Sequence, residues 1–285
     1  MKITFAKATK KYLKYSQANK QTKRTYARIL DKHWSELNSL PLTQINTEMV
    51  LDILLDKDIS DKYANQILIP LRGVFDTAVM LKYISHSPVQ LKNRKLQTRL
   101  PDPFTKKEME CILNWLKDNT HLTCYLFYEI SFWTGLRPCE LLALTWEDIQ
   151  NDRILVYKTR LRGVEKQSTK TRKMRYVLLN DRSHHAINQI PKVSDYLIVT
   201  PDNHEPYSDN SHLRHRFNHS LKANKIRKRP SYNTRHTYAT LLLMAGANPT
   251  FVANQLGHSL VMLNTHYARW LYSEEDKKQI AKLNT

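Results

Sequence analysis

The chain has 285 residues, of which 41% are hydrophobic, enough to build one large or two modest folded domains. No apolar run approaches the roughly 18 residues of a membrane span, and the basic start MKITFAKATKKYLKY lacks the apolar centre of a signal peptide. Forty-five Lys and Arg against 26 Asp and Glu give a net charge of +19, spread through both halves, which points to an extended polyanion as partner.

The first part reads as helices. Residues 4–15, 20–37, 46–57 and 61–82 carry apolar residues at three-to-four spacing, with Leu40-Pro41 as a break and Asn46 and Ser60 as N-caps. In the second segment Lys20, Lys23, Arg24 and Arg28 accompany Tyr26, Ile29, Leu30 and Trp34. One side of that helix can pack while another meets phosphates; a merely solvated basic face is the plainer alternative. KNRKLQTRLPDP, residues 92–103, has no apolar period and two prolines, and reads as a linker. Its Lys92, Arg94, Lys95 and Arg99 suit a strap along a nucleic-acid backbone. The expected organisation is a helical, basic nucleic-acid-binding domain over 1–91, a basic linker over 92–103 and a second domain over 104–285.

The second part opens with two predicted helices, 105–117 and 120–133, the first announced by a Thr105/Glu108 capping box. Gly135 ends the second, and Pro138 can start a third. RILVYKTR and RYVLL read as strands, and the GVEKQSTKTRK between them as a further strand and turn. Helical patterns return at 181–190, 208–223 and 231–245, and Asn248-Pro249 reads as the cap and first residue of a helix ending before Gly257. The fold class is mainly α (α+β), helical with a small antiparallel sheet.

Three of only five glycines, Gly135, Gly246 and Gly257, punctuate the second part, and four motifs run there in order: TGLRPCELLAL, STKTRKMRYVLL, YNTRHTYATLLL and LGHSLVMLNTHYA. Nearly a hundred residues separate Arg137 from Arg235, His258 follows Arg235 by about two dozen, and Tyr267 follows His258 by nine. A single piece of this series occurs by chance; the four in order do not. The series resembles the phage-integrase type of tyrosine recombinase over the whole second domain, and reaches the first through its helical, basic layout.

The chemistry is legible in the residue types. Transesterification of a phosphodiester needs charge against the non-bridging oxygens, a nucleophile, and an acid for the departing oxygen. Arginine suits the first task because its planar fork grips two oxygens and stays charged. By resemblance Arg137 and Arg235 are the two catalytic arginines, Tyr267 the nucleophile, and Lys170 the general acid that protonates the 5′ oxygen. Lys166 and Lys173 are rivals to Lys170, and Tyr272 is the rival to Tyr267. His258 would bind the phosphate or help take the proton from Tyr267. Glu140 and His236 are supporting residues, Glu140 lying three residues after Arg137 on the same helix side. The family usually shows His-x-x-Arg, and here the first position is Tyr232. A phenol can donate to a phosphate oxygen but cannot carry imidazolium charge, so a role in proton transfer at this position is in doubt. Arg172 and Lys173 complete the expected DNA contacts.

The resemblance further implies an N-terminal SAM-like core-binding domain, a catalytic domain with a three-stranded antiparallel sheet, and a C-terminal tail helix that joins protomers. It implies double-stranded DNA attachment sites as substrate, a homo-tetramer on DNA, a 3′-phosphotyrosine and a Holliday junction, with integration or excision of a phage or other mobile element as the outcome. Accessory DNA-bending or directionality factors stay open, as does an arm-binding domain ahead of the first helix. Three cysteines without metal-type pairing suit a reducing cytoplasm, at the nucleoid of a bacterial host. No cofactor, metal or membrane is expected: there is no Gly-rich phosphate loop and no paired acidic cluster. His212, His215 and His219 share one helix face at zinc-compatible spacing, but no fourth ligand is at hand. Two rivals stand beside this reading: a regulator that keeps the fold without the chemistry, and a type IB topoisomerase.

Overall fold

The computed structural model describes residues 3–96, 100–167, 174–270 and 281. The chain divides into two compact units, Met1–Thr98 and Arg99–Thr285.

The first unit is helical: α1 Phe5–Tyr15, α2 Lys20–Trp34, α3 Thr47–Leu55 and α4 Asp61–Met80. Asn46 and Ser60 cap α3 and α4 as expected, each accepting from the backbone N–H three residues on. Asn19 does the same for α2. Trp34 is fully buried and its indole N–H donates to the Ile67 carbonyl 3.1 Å away, which pins α2 to α4. The opposite side of α2 carries Lys20, Arg24 and Arg28 exposed, so the packed and basic faces separate as the pattern requires.

The described residues 81–96 after α4 form no helix or strand, yet they are not free. Arg72 donates to the Leu91 carbonyl and the Asn93 side chain at 2.6 and 2.7 Å. Asn65 exchanges two bonds with the Arg94 backbone, and Arg94 pairs with Asp61 at 2.9 Å. Pro101–Phe104 belongs to the second unit. There Arg269 donates to the Pro101 carbonyl, Arg229 to the Pro103 carbonyl, and the Phe104 N–H to Thr237 Oγ1.

The second unit begins with α5 Lys106–Asn119, headed by the Thr105/Glu108 capping box, and α6 Leu122–Thr134. Helix α6 runs through the core, with Leu126, Phe127, Ile130 and Phe132 at 1% exposure or less, so no polar face remains on most of its length. Then come α7 Pro138–Leu141, β1 Ile149–Gln150, β2 Arg153–Val156, β3 Thr159–Leu161, β4 Val164–Lys166 and β5 Arg175–Leu178. A three-stranded antiparallel sheet is present in the order β1-β2-β5. Its third strand is Ile149–Gln150, not the stretch between the two predicted strands. That stretch supplies β4, which pairs with β3 in a separate hairpin. The turn is Arg162-Gly163 with φ of 53° and 72°, the positive pair that a two-residue hairpin needs. RILVYKTR is thus two strands. The break falls at Tyr157-Lys158, where Lys158 turns inward to Asp148 and Thr145, each at 2.9 Å.

Among the described residues five further α-helices follow: α8 Asp181–Asn188, α9 Ser211–Ala223, α10 Asn233–Met244, α11 Pro249–Leu256 and α12 Leu260–Tyr267. Asn248 and Pro249 cap and open α11, as the sequence reading has it. Helix α12, capped by Ser259, is absent from that reading, because only Leu263 and Tyr267 of its eight residues are buried. Those two join Tyr238, Leu243, Val252 and Leu256 in a small core beneath α10 and α11. Among the described residues no helix is long and apolar enough to cross a membrane.

Candidate active site

The site begins where α6 stops. Gly135 takes φ +62°, and a Cβ there would lie 2.5 Å from the Tyr238 ring. The left-handed turn reverses the chain and delivers Arg137 as the residue before α7, with Pro138 at the first helical position. Replacing Gly135 with Ala combines left-handed strain with overpacking and is expected to cost about 2–4 kcal/mol, read as a lower urea midpoint of the second unit. An unchanged midpoint would show that Tyr238 moves aside freely.

Glu140 is completely buried and organises the arginines. It accepts from the Arg137 backbone N–H at 2.9 Å and from the Arg137 guanidinium at 2.7 Å. Both terminal nitrogens of Arg175 reach it, at 3.1 and 2.8 Å. Burial alone would raise the Glu140 pKa. The Arg175 hydrogen bonds and charge, with the charges of Arg137 and Arg235, outweigh it and hold the carboxyl at about 2. Arg175 also donates through Nε to the Gln255 carbonyl, while the Gln255 side chain accepts from the Leu178 N–H. This stitches α11 to the open edge of β5. The sequence pattern gives Arg175 no role of its own, because its ionic role depends on a partner 35 residues away.

Arg235 on α10 is 0% exposed. It donates to the Gly135 carbonyl at 2.7 Å, to the Leu256 carbonyl, and to His258 Nε2 at 2.9 Å, while its Nε has no partner among the described residues. Burial first, and then the neighbouring Arg137 charge, pulls its pKa down to about 10. Three guanidinia therefore surround one carboxylate. The excess positive charge in a dry site is a built demand for an anion.

His258 follows Gly257, which takes φ +63° and leaves its Cα against the Arg175 side chain. Because arginine only donates, His258 Nε2 must accept, and the proton of the neutral ring sits on Nδ1, a buried atom without a partner among the described residues. Burial, then Arg235 and Arg137, lowers its pKa to about 3. Tyr267 is 1% exposed, and its hydroxyl meets His236 Nδ1 at 2.5 Å. Burial raises the Tyr267 pKa above the usual phenol value, opposed by the Arg235 charge and reinforced by Tyr232. The rings of His258 and Tyr267 stack at 6.5 Å, but the imidazole on the hydroxyl is His236.

Tyr232, 38% exposed, lies edge-on to His236 with centroids 5.5 Å apart. It borders a recess of about 310 Å³ shared with Arg137, Cys139, Arg160 and Arg214. Arg160, which the sequence reading missed, is held there by its bond to the Tyr207 carbonyl and by the Tyr196 ring. Lys170, Arg172, Lys173 and Arg99 lie outside the described residues, as do Tyr272 and the rest of the C-terminal tail apart from residue 281. Lys166 is exposed at the end of β4. In the first unit Lys20, Lys23 and Arg24 border a shallow recess floored by Leu13, Ala18 and Ala27; Lys92 and Lys95 are exposed. His215 and His219 contact each other at 4.4 Å between centroids, whereas His212 stacks on Tyr207.

A putative defective protein, IntQ, of Escherichia coli K12 is 28% identical over 257 residues, covering 78% of this chain; the chain spans 63% of that relative's length. The Tn1549 transposon integrase in complex with a circular intermediate DNA superimposes with a TM-score of 0.80 at 20% identity, covering 99% of this chain and all of the other. A lambda integrase tetramer bound to a Holliday junction gives 0.75 at 18% identity, covering 90% of this chain and 78% of the other. The sequence profile of the phage integrase family matches residues 103–274. That stretch is more than half of the chain and contains the whole arginine, histidine and tyrosine cluster, so the chain belongs to the phage integrase family.

Proposed function

We propose that this chain is a site-specific recombinase that cuts and rejoins DNA through a phosphodiester bond to Tyr267. The observation that carries this is one buried cluster. Arg137 and Arg235 are tied to the same turn and outnumber their shared carboxylate, and the Tyr267 phenol lies within the field of Arg235. The arginines take the non-bridging oxygens of the scissile phosphate and stabilise the charge that grows there. Tyr267 Oη attacks phosphorus, the bond to the 5′ oxygen breaks, and a 3′-phosphotyrosine forms. The departing oxygen receives a proton from Lys170, the general acid that the resemblance assigns. The new ester stores the bond energy, so a second 5′ hydroxyl can reverse the step without ATP. His258 donates from Nδ1 and Tyr232 from its phenol toward phosphate oxygens.

The first unit binds the duplex through Lys20, Lys23, Arg24 and Arg28, and the basic strap through Lys92, Arg94, Lys95 and Arg99; Arg172 and Lys173 add contacts from the second unit. Four protomers hold two duplexes, joined by the segment after Tyr267, and exchange strands through a Holliday junction to integrate or excise a mobile element. The tetramer of lambda integrase on such a junction supports this assembly.

The test is covalent trapping. A pool of nicked suicide duplexes with a randomised core is incubated with the protein and run on a denaturing gel. A DNA-linked band is expected with the wild type and none with Tyr267→Phe, because the phenol oxygen is the only atom that forms the bond. Sequencing the trapped DNA then gives the site. Salt-sensitive, sequence-selective binding without a covalent band would instead support a regulator that keeps the fold and lacks the chemistry, a reading that the name of the E. coli relative keeps in view.

A further inference from the structure

Proton transfer from the nucleophile poses a problem that Tyr232 sharpens. A neutral phenol carries its own proton and can donate it to an oxygen, but it lacks the basic nitrogen of an imidazole that would take a second one. His258 is the other candidate, but its Nε2 lone pair already accepts from Arg235 at 2.9 Å. Its remaining nitrogen carries a hydrogen and can only donate. The structure offers a third group. Position 236 lies one helical turn after position 232 on the same face at the start of α10, and the two rings touch edge-on at 5.5 Å. His236 Nδ1 faces the Tyr267 hydroxyl.

We propose that His236 is the proton acceptor for Tyr267, a catalytic residue that takes over from the position Tyr232 occupies. This rests on the transesterification reading above. In the forward step Tyr267 Oη forms its bond to phosphorus, the phenol proton moves to His236 Nδ1, the bond to the 5′ oxygen breaks, and that oxygen takes a proton from the lysine. In the reverse step each proton returns. The ring must be neutral to accept. The charged and titratable groups around it are Arg235 beside it, His266 on α12, Tyr232 at its edge and Tyr267 at Nδ1. Burial, the largest influence, and then the Arg235 and His266 charges favour the neutral state and lower its pKa to about 4. Tyr232 keeps the other duty, donation to a phosphate oxygen.

Two measurements test this. The first is single-turnover cleavage of the duplex recovered by trapping. Asparagine in place of His236 can still accept the phenol hydrogen bond through its Oδ1 but cannot take the proton. His236→Asn is expected to slow cleavage about 100-fold at pH 7. Its rate should climb with pH as hydroxide substitutes for the missing base, while the wild-type rate stays flat. Tyr232→His added to His236→Asn should recover much of the rate. Wild-type speed in His236→Asn would mean that the ring only positions Tyr267, and the proposal would fall while the covalent band still stood. Loss of the wild-type band would remove the parent reading as well.

The second measurement needs no DNA. Nitrogen-15 spectra of the full chain should show His236 as the Nε2–H tautomer, with an Nδ1 resonance that moves in Tyr267→Phe. A proton on Nδ1 overturns the assignment whatever the kinetics.

Discussion

Arg235→Met is expected to lower the rate of covalent complex formation about 1000-fold while the protein stays folded. The activity loss follows from removing a charged fork aimed into a dry site, where one such donor is worth two to three orders of magnitude or more. The modest effect on stability is less obvious and comes from opposed contributions. The Arg235 pKa falls from 12.5 to about 10 on folding. For a base this means that the native state disfavours the charge, at a cost of about 3 kcal/mol at every pH below about 10. Methionine removes that cost and fills similar space. Against it, the Gly135 and Leu256 carbonyls lose their donor, at about 1–3 kcal/mol each. The sums nearly cancel, and each residual kcal/mol moves the melting temperature by only about 2–4 °C. Calorimetry beside the trapping assay checks both halves. Unfolding of the variant would show that the two carbonyls dominate, and undiminished cleavage would remove Arg235 from the chemistry.

Glu140→Gln should have the largest effect on stability. The carboxyl sits at about 2 against an ordinary 4.5, so folding favours its ionised form by about 3 kcal/mol. A depressed carboxylate stabilises the fold fully above the unfolded pKa, and the contribution is lost as pH falls through the folded one. Wild-type stability from this group is therefore complete above pH 4.5 and drains away between pH 4.5 and 2. The amide leaves Arg137, Arg175 and Arg235 with no counter-charge, and breaking a buried pair from one side costs about 3–5 kcal/mol. Urea midpoints at pH 7, 4.5 and 2.5 should show the variant well below the wild type at neutral pH and nearly level with it at the acid end. A wild-type-like acid slope in Glu140→Gln would assign the pH dependence to other carboxylates.

The helices were legible wherever local chemistry writes its own boundary. Asn46, Ser60, the Thr105/Glu108 box and Asn248-Pro249 each satisfy backbone groups within three residues, so a short window contains the cause. Helix α12 escaped because two inward residues in eight make no stripe. The sheet was half legible. Strand β1 is two residues long, and nothing in Ile149-Gln150 marks it until it meets Arg153 and Ile154. The split of RILVYKTR depends on Lys158 finding Asp148, a pairing that strand patterning does not contain.

The same division runs through the site. By itself the sequence determined the family, the helical class, and the arginines, histidines and tyrosine worth examining, because motif order and spacing are properties of the linear chain. The tertiary structure alone decided who touches whom. It placed Arg175 on Glu140, joined Arg235 to a carbonyl 100 residues away, committed His258 to Arg235, and set His236 against the nucleophile. The physical reason is that charge and hydrogen bonding act over a few ångströms of space, whatever the distance along the chain.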